Sequence, residues 1–85
     1  MQEYTLYLEG KLQGVLSVLT TYENPNDAND VVWHVSIEPI EAVAREATLR
    51  AAMQYTLPNV QDVYFNDAFE VEAFVRLNPE PPSNV

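Results

Sequence analysis

Apolar and polar side chains alternate with a period of two through most of this chain, and the alternation gives way to a helical period only once. In Glu3 to Glu9, Tyr4, Leu6 and Leu8 point one way and Glu3, Thr5, Tyr7 and Glu9 the other. Successive side chains of a strand leave opposite faces, so this is a half-buried strand. Glu9-Gly10-Lys11 reads as a turn. A second strand follows from Leu12 to about Tyr22, with Leu12, Gly14, Leu16, Val18 and Thr20 on one face. A three-residue turn would pair Leu8 with Leu12 and Tyr4 with Leu16, bringing the apolar faces together as an N-terminal hairpin.

Glu23 to Asp30 reads as a loop, because Asx side chains bond their own backbone and Pro25 has no N–H for a ladder. Val31 to Glu38 is a third strand with Val31, Trp33, Val35 and Ile37 on its apolar face. Pro39 suits a first helical position and Glu41 the positive end of a helix dipole, so a helix is expected from Pro39 to Tyr55. Its stripe is Ile40, Val43, Ala44, Ala47, Ala51 and Tyr55. Pro58 ends it. Val60 to Phe65 and Ala68 to Leu77 are the last strands, around a turn at Asn66-Asp67. In the latter, Phe69, Val71, Ala73, Val75 and Leu77 face inward.

The order β-β-β-α-β-β predicts an α+β fold: an antiparallel sheet of four to five strands with one helix on one face. Residues 1–77 form the domain, and the Pro-rich residues 78–85 form a flexible tail. The expected core is Leu6, Leu16, Trp33, Val35, Ile40, Ala47, Val71 and Val75, with Trp33 near the centre. Strand order stays open, since the connection through the helix can return on either side of the third strand.

Thirteen carboxylates face four basic residues, a net charge of -9 on 85 residues. Direct nucleic-acid binding is disfavoured, because it needs Lys and Arg to displace counterions from phosphates. An anionic membrane surface is excluded on the same ground, and no apolar run approaches the ~20 residues of a span. With no cysteine, disulfides and thiolate chemistry are out. Met1-Gln2-Glu3-Tyr4 lacks the basic start of a signal peptide, which makes the cytoplasm the expected compartment.

No cofactor or metal is expected. His34, Ser36 and Glu38 share a strand face, but neighbours on such a face sit ~6.6 Å apart, too far for a catalytic relay. The oxygen-rich stretch from Asn24 to Asp30 lacks the glycine and the bidentate glutamate of a calcium loop. Glu70 and Glu72 flank an apolar residue with no sign of a pocket. A domain this small also has little volume for a ligand cleft of ~300 Å³ or more. An enzyme is not expected.

What remains is apolar surface beyond the needs of one core. Tyr7, Val15, Leu19, Val32 and Phe74 lie on the far sheet face. Ala42, Leu49, Ala52 and Met53 form a second helical strip. Exposed apolar patches of this kind mark interaction surfaces. Acids accompany them: Glu23, Asp27 and Asp30 in the loop, and Asp62, Asp67, Glu70 and Glu72 in the C-terminal hairpin. A small acidic α+β protein of this kind resembles, in class only, the nucleic-acid mimics that block nucleases, repair enzymes or defence complexes, many of them phage-encoded. The expected function is a non-enzymatic inhibitor that occupies a basic surface of a nucleic-acid-handling protein. Those seven acids would supply charge, and Tyr7, Tyr64 and Phe74 would be the anchors. The alternative is an assembly module such as a small virion component, a homodimer associating through Leu49 and Met53.

Overall fold

The computed structural model describes residues 2–41, 45–57, 59–66 and 72–77. The elements are β1 (Glu3–Leu8), β2 (Lys11–Asn24), β3 (Asp27–Pro39), α1 (Glu46–Thr56), β4 (Val60–Phe65) and β5 (Glu72–Leu77). The five strands form one antiparallel sheet in the order β1-β2-β3-β5-β4. The expected α+β architecture and element order are therefore present. The chain leaves β3 for the helix, returns at the far edge as β4, and fills the gap with β5.

The first hairpin is tighter than its alternation implied. Leu8 pairs with Lys11, leaving a two-residue turn of Glu9 (φ 53°) and Gly10 (φ 79°). Two consecutive positive φ values are what a type I′ turn requires. The shorter turn would misalign the faces, and a bulge corrects it. Leu6 pairs with Gly14 and Tyr7 with Leu12, so Gln13 is the extra residue, and Tyr4 still meets Leu16 as expected. Leu12 thereby leaves the core face and stands 43% exposed opposite Tyr7. Gly14 allows β2 and β3 to meet closely, since a Cβ there would lie 2.6 Å from the Glu38 carbonyl oxygen.

The expected loop at Glu23–Asp30 is mostly strand. β2 runs to Asn24 and β3 starts at Asp27, with Pro25 and Asn26 left in the turn. The Asn26 N–H donates to Asn24 Oδ1 at 2.9 Å, an Asx turn that satisfies the backbone in two residues. Cross-strand pairing then recruits the polar residues on either side.

The helix departs further from expectation. Pro39 ends β3, paired with Gly14, and the Ile40 N–H donates to the Gln13 carbonyl at 2.9 Å. The chain is still held along β2 where the helix was expected to start. Helix α1 begins at Glu46, which takes the place of Glu41 as the acid of the first turn. Its buried side chains are Leu49, Ala52 and Met53, whereas Ala47 is exposed and Tyr55 is 67% exposed. The apolar stripe expected on the alanine side is thus inverted. Leu and Met remove more apolar area from water than Ala, so the face that carries them wins.

Among the described residues, eleven buried side chains make the core: Leu6, Leu16, Val35, Ile37, Leu49, Ala52, Met53, Leu57, Val63, Ala73 and Val75. Leu6, Leu16, Val35 and Val75 match the expected set. Ile40 does not, being 58% exposed in the connection after β3, and Ala47 lies on the solvent side of α1. Trp33 is half-buried rather than central, stacked on Tyr4 with ring centroids 5.4 Å apart at the core margin. Val71 with the first part of the expected 68–77 strand (68–71), Ala42, Val43, Ala44 and residues 78–85 lie outside the described residues.

Helix α1 packs most closely on β1 and β4, the two outermost strands. Laid flat, those strands would be roughly 19 Å apart at ordinary strand spacing, nearly twice a helix diameter. The helix reaches them with different turns, Arg50 bonding Val63 of β4 and Thr56 bonding Tyr7 of β1, which leaves the opposite sheet face as the outer one.

Candidate partner-binding face

That outer face is uncovered among the described residues, and cross-strand register determines what it displays. Tyr64 on β4 pairs with Phe74 on β5, and Phe74 pairs with His34 on β3, so three rings lie side by side across three strands. His34 stacks on Phe74 with centroids 4.9 Å apart, and its Nε2 lies 3.5 Å from Glu72 Oε2. Tyr64 is 52% exposed and Phe74 is 39% exposed. Tyr22 and Tyr7 extend the aromatic surface along β2 and β1, at 53% and 44% exposed.

Beside the rings lies a charged group built around Arg76. Its Nη1 donates to Asp30 Oδ1 at 2.6 Å, across the β3–β5 pairing. Asp62 pairs with Arg76 in the β4–β5 register. The Tyr64 hydroxyl donates to the Asp62 carboxylate, and the Val63 N–H donates to its Oδ1 at 2.8 Å. These two hydrogen bonds, with the Arg50 and Arg76 charges adding to them, hold the Asp62 carboxyl below the usual carboxylate range. The same bond pushes the Tyr64 hydroxyl up, since losing its proton would set two negative oxygens together.

Asp30, Asp62, Glu72, Tyr64 and Phe74 are thus brought together on one face. Tyr7 shares that face from the far edge, opposite Leu12. Glu23 and Asp27 stand apart, near the tip of the β2–β3 hairpin, opposite Val31 and Asn24. Asp67 and Glu70 lie outside the described residues. Leu49 and Met53 are 2% and 0% exposed. They belong to the core, so the self-association surface expected from them is corrected: the helix turns that strip inward against the sheet.

Two members of the face went unread in the sequence. Arg76 and His34 have the same strand parity as Phe74 and Val32, which was the available signal. His34 was weighed only with Ser36 and Glu38 on its own strand, whereas its acidic neighbour, Glu72, comes from the next one. Among the described residues no cluster of three or more His, Asp or Glu side chains could hold a metal ion. No helix among them is long and apolar enough to cross a membrane. The expectation that so small a domain leaves no cleft is also corrected. A cavity of about 350 Å³ opens beside the N-terminal end of α1, away from the three rings.

No family model matches this chain, and no curated protein or solved structure shows significant similarity to it.

Proposed function

We propose that this chain is a non-catalytic binding protein that docks its outer sheet face on a basic protein surface. The carrying observation is the row His34–Phe74–Tyr64: rings on three adjacent strands, Phe74 and Tyr64 exposed and His34 half-buried, flanked by Glu72, Asp62 and Asp30, with no helix over them among the described residues. Aromatic side chains contribute contact area at low entropic cost, and surrounding carboxylates steer a basic partner and set register. The net charge of -9 favours such a partner over any acidic one. Extended basic surfaces are characteristic of proteins that handle nucleic acid, and occupying one would block it.

The docking face is mixed, not a continuous row of charge. Arg76 sits between Asp30 and Asp62, so its charge offsets one of these two acids, and Glu72 lies nearest the rings. Affinity then rests more on Phe74 and Tyr64 than on mimicry of a phosphate backbone. The competing reading, an assembly module, loses its support at the helix because Leu49 and Met53 are buried.

The test is capture from lysate across a salt series, with Phe74→Ala and Tyr64→Ala run in parallel. The expected outcome is a basic protein whose binding weakens with salt and falls about tenfold or more in either variant. Capture that ignores both substitutions would remove this face from the reading. Capture of the chain's own copies alone would favour the assembly module.

A further inference from the structure

Four basic side chains serve thirteen acidic ones in this chain, and their placement is uneven. Arg76 is held by Asp30, and the Arg50 guanidinium by Glu46 and the Val63 carbonyl. The other two, Lys11 and Arg45, form no ion pair among the described residues. Both line the cavity of about 350 Å³ noted above. Two cations facing one concavity repel each other until an anion lies between them. In a chain of net charge -9, this is where an anion would find attraction, although Glu41 also borders the cavity.

The remaining lining defines what kind of anion fits. Gln13 and Thr48 add neutral hydrogen-bonding groups, and Leu12 and Ile40 form an apolar wall. Leu12 and Ile40 are 43% and 58% exposed, so a hydrocarbon group resting on them would remove apolar surface from water. The wall is held in place: the bulge residue Gln13 accepts the Ile40 N–H at 2.9 Å, tying β2 to the segment that leads into α1. The volume falls at the small end of ligand pockets, which run from roughly 300 to 1,000 Å³.

We propose that this cavity is a binding site for a small amphiphilic carboxylate. The carboxylate lies between Lys11 and Arg45, where a guanidinium fork can bind both its oxygens. A short aliphatic or aromatic body covers Leu12 and Ile40. The site uses none of the rings of the sheet face, so it stands independently of the docking reading.

The experiment is a titration of isotope-labelled protein with hexanoate, hexanamide and inorganic phosphate, followed by backbone amide shifts. Hexanoate should saturate shifts at Lys11, Gln13, Ile40 and Thr48 with a dissociation constant of about 1 mM or tighter. Hexanamide, which lacks the charge, should bind about tenfold more weakly or worse. Lys11→Gln combined with Arg45→Gln should weaken hexanoate about tenfold, with the rest of the spectrum unchanged because both side chains are exposed. Absence of saturable shifts up to about 10 mM, or shifts that survive the double substitution, would overturn the site. Phosphate binding as tightly as hexanoate would overturn the apolar part of the assignment.

Discussion

The Thr56 hydroxyl satisfies both backbone groups of Tyr7: it accepts the Tyr7 N–H at 2.9 Å and donates to the Tyr7 carbonyl at 3.1 Å. Tyr7 lies on β1, an edge strand, and Thr56 is the last residue of α1. At the opposite edge, Val63 of β4 is treated likewise. Its carbonyl accepts from Arg50 at 3.1 Å and its N–H donates to Asp62 at 2.8 Å. Unpaired edge groups are templates for adding further strands, and covering them with a helix is one recognised protection. One helix does so here at both edges, through Thr56 at β1 and Arg50 at β4.

Thr56→Val removes both bonds while keeping the side-chain shape. We expect a loss of about 1–2 kcal/mol in urea unfolding, together with concentration-dependent association seen by sedimentation. Thr56→Ser keeps the hydroxyl and should restore most of both. A monomeric Thr56→Val protein of unchanged midpoint would show that this contact does not guard the edge.

At the other edge, Arg50 should matter more than its salt-bridge partner. The Arg50–Glu46 contact is exposed, and such pairs contribute about 0–1 kcal/mol. The bond to the Val63 carbonyl is part-buried, and the guanidinium also lies over Phe65, 5.7 Å from the ring centroid. Arg50→Ala is therefore expected to cost about 1–2 kcal/mol and Glu46→Gln less than about 0.5 kcal/mol. Equal midpoints for the two variants would contradict the assignment.

The buried face of the helix is testable with a pair of truncations. Leu49→Ala should cost about 2–4 kcal/mol, since it opens a cavity against the sheet. Tyr55→Ala, on the solvent side, should change stability by less than about 0.5 kcal/mol. The reverse ranking would place the alanine stripe against the sheet.

The Asp62–Tyr64 bond predicts a pH response with a definite sign. The folded Asp62 carboxyl lies below its unfolded value, so its contribution is present above that value and is lost as pH falls through the folded one. The folded Tyr64 hydroxyl lies above its unfolded value, so its contribution is present below that value and is lost as pH rises through the folded one. Tyr64→Phe should move the Asp62 titration upward, towards an ordinary carboxylate, as followed by side-chain carboxyl shifts. An unmoved Asp62 titration would assign its depression to Val63 and the arginines instead.

Much of the fold was legible because alternation is a local property. The inward set Leu6, Leu16, Val35, Ala73 and Val75 follows from period two alone, as does the outward set Tyr7, Val32 and Phe74. The bulges were not legible. The extra residues Gln13 opposite β1, Leu19 opposite β3 and Gln61 opposite β5 each reverse the parity, so that beyond Leu19 it is Thr20 and Tyr22 that share the outer face with His34 and Val32. A bulge is a property of the pair of strands, so neither strand announces it alone. The helix start was misread for a related reason: Pro39 suits a helix locally, but Gly14 and Gln13 on β2 hold that stretch extended.

The docking face divides in the same way. Its rings and acids could be assigned to strand faces from their positions, but Arg76 and Asp30 are 46 residues apart and meet only because β5 inserts between β3 and β4. By itself, then, the amino-acid order determined the succession of five strands and one helix, the apolar side of most strand stretches, and the strongly acidic character of the surface. These follow from side-chain period and composition. Tertiary structure decided the strand order, the inward turn of Leu49 and Met53, the sealing of both edges by Thr56 and Arg50, and the placing of Lys11 and Arg45 on one cavity. Those depend on long-range packing, where total buried area and satisfied backbone groups outweigh local preference.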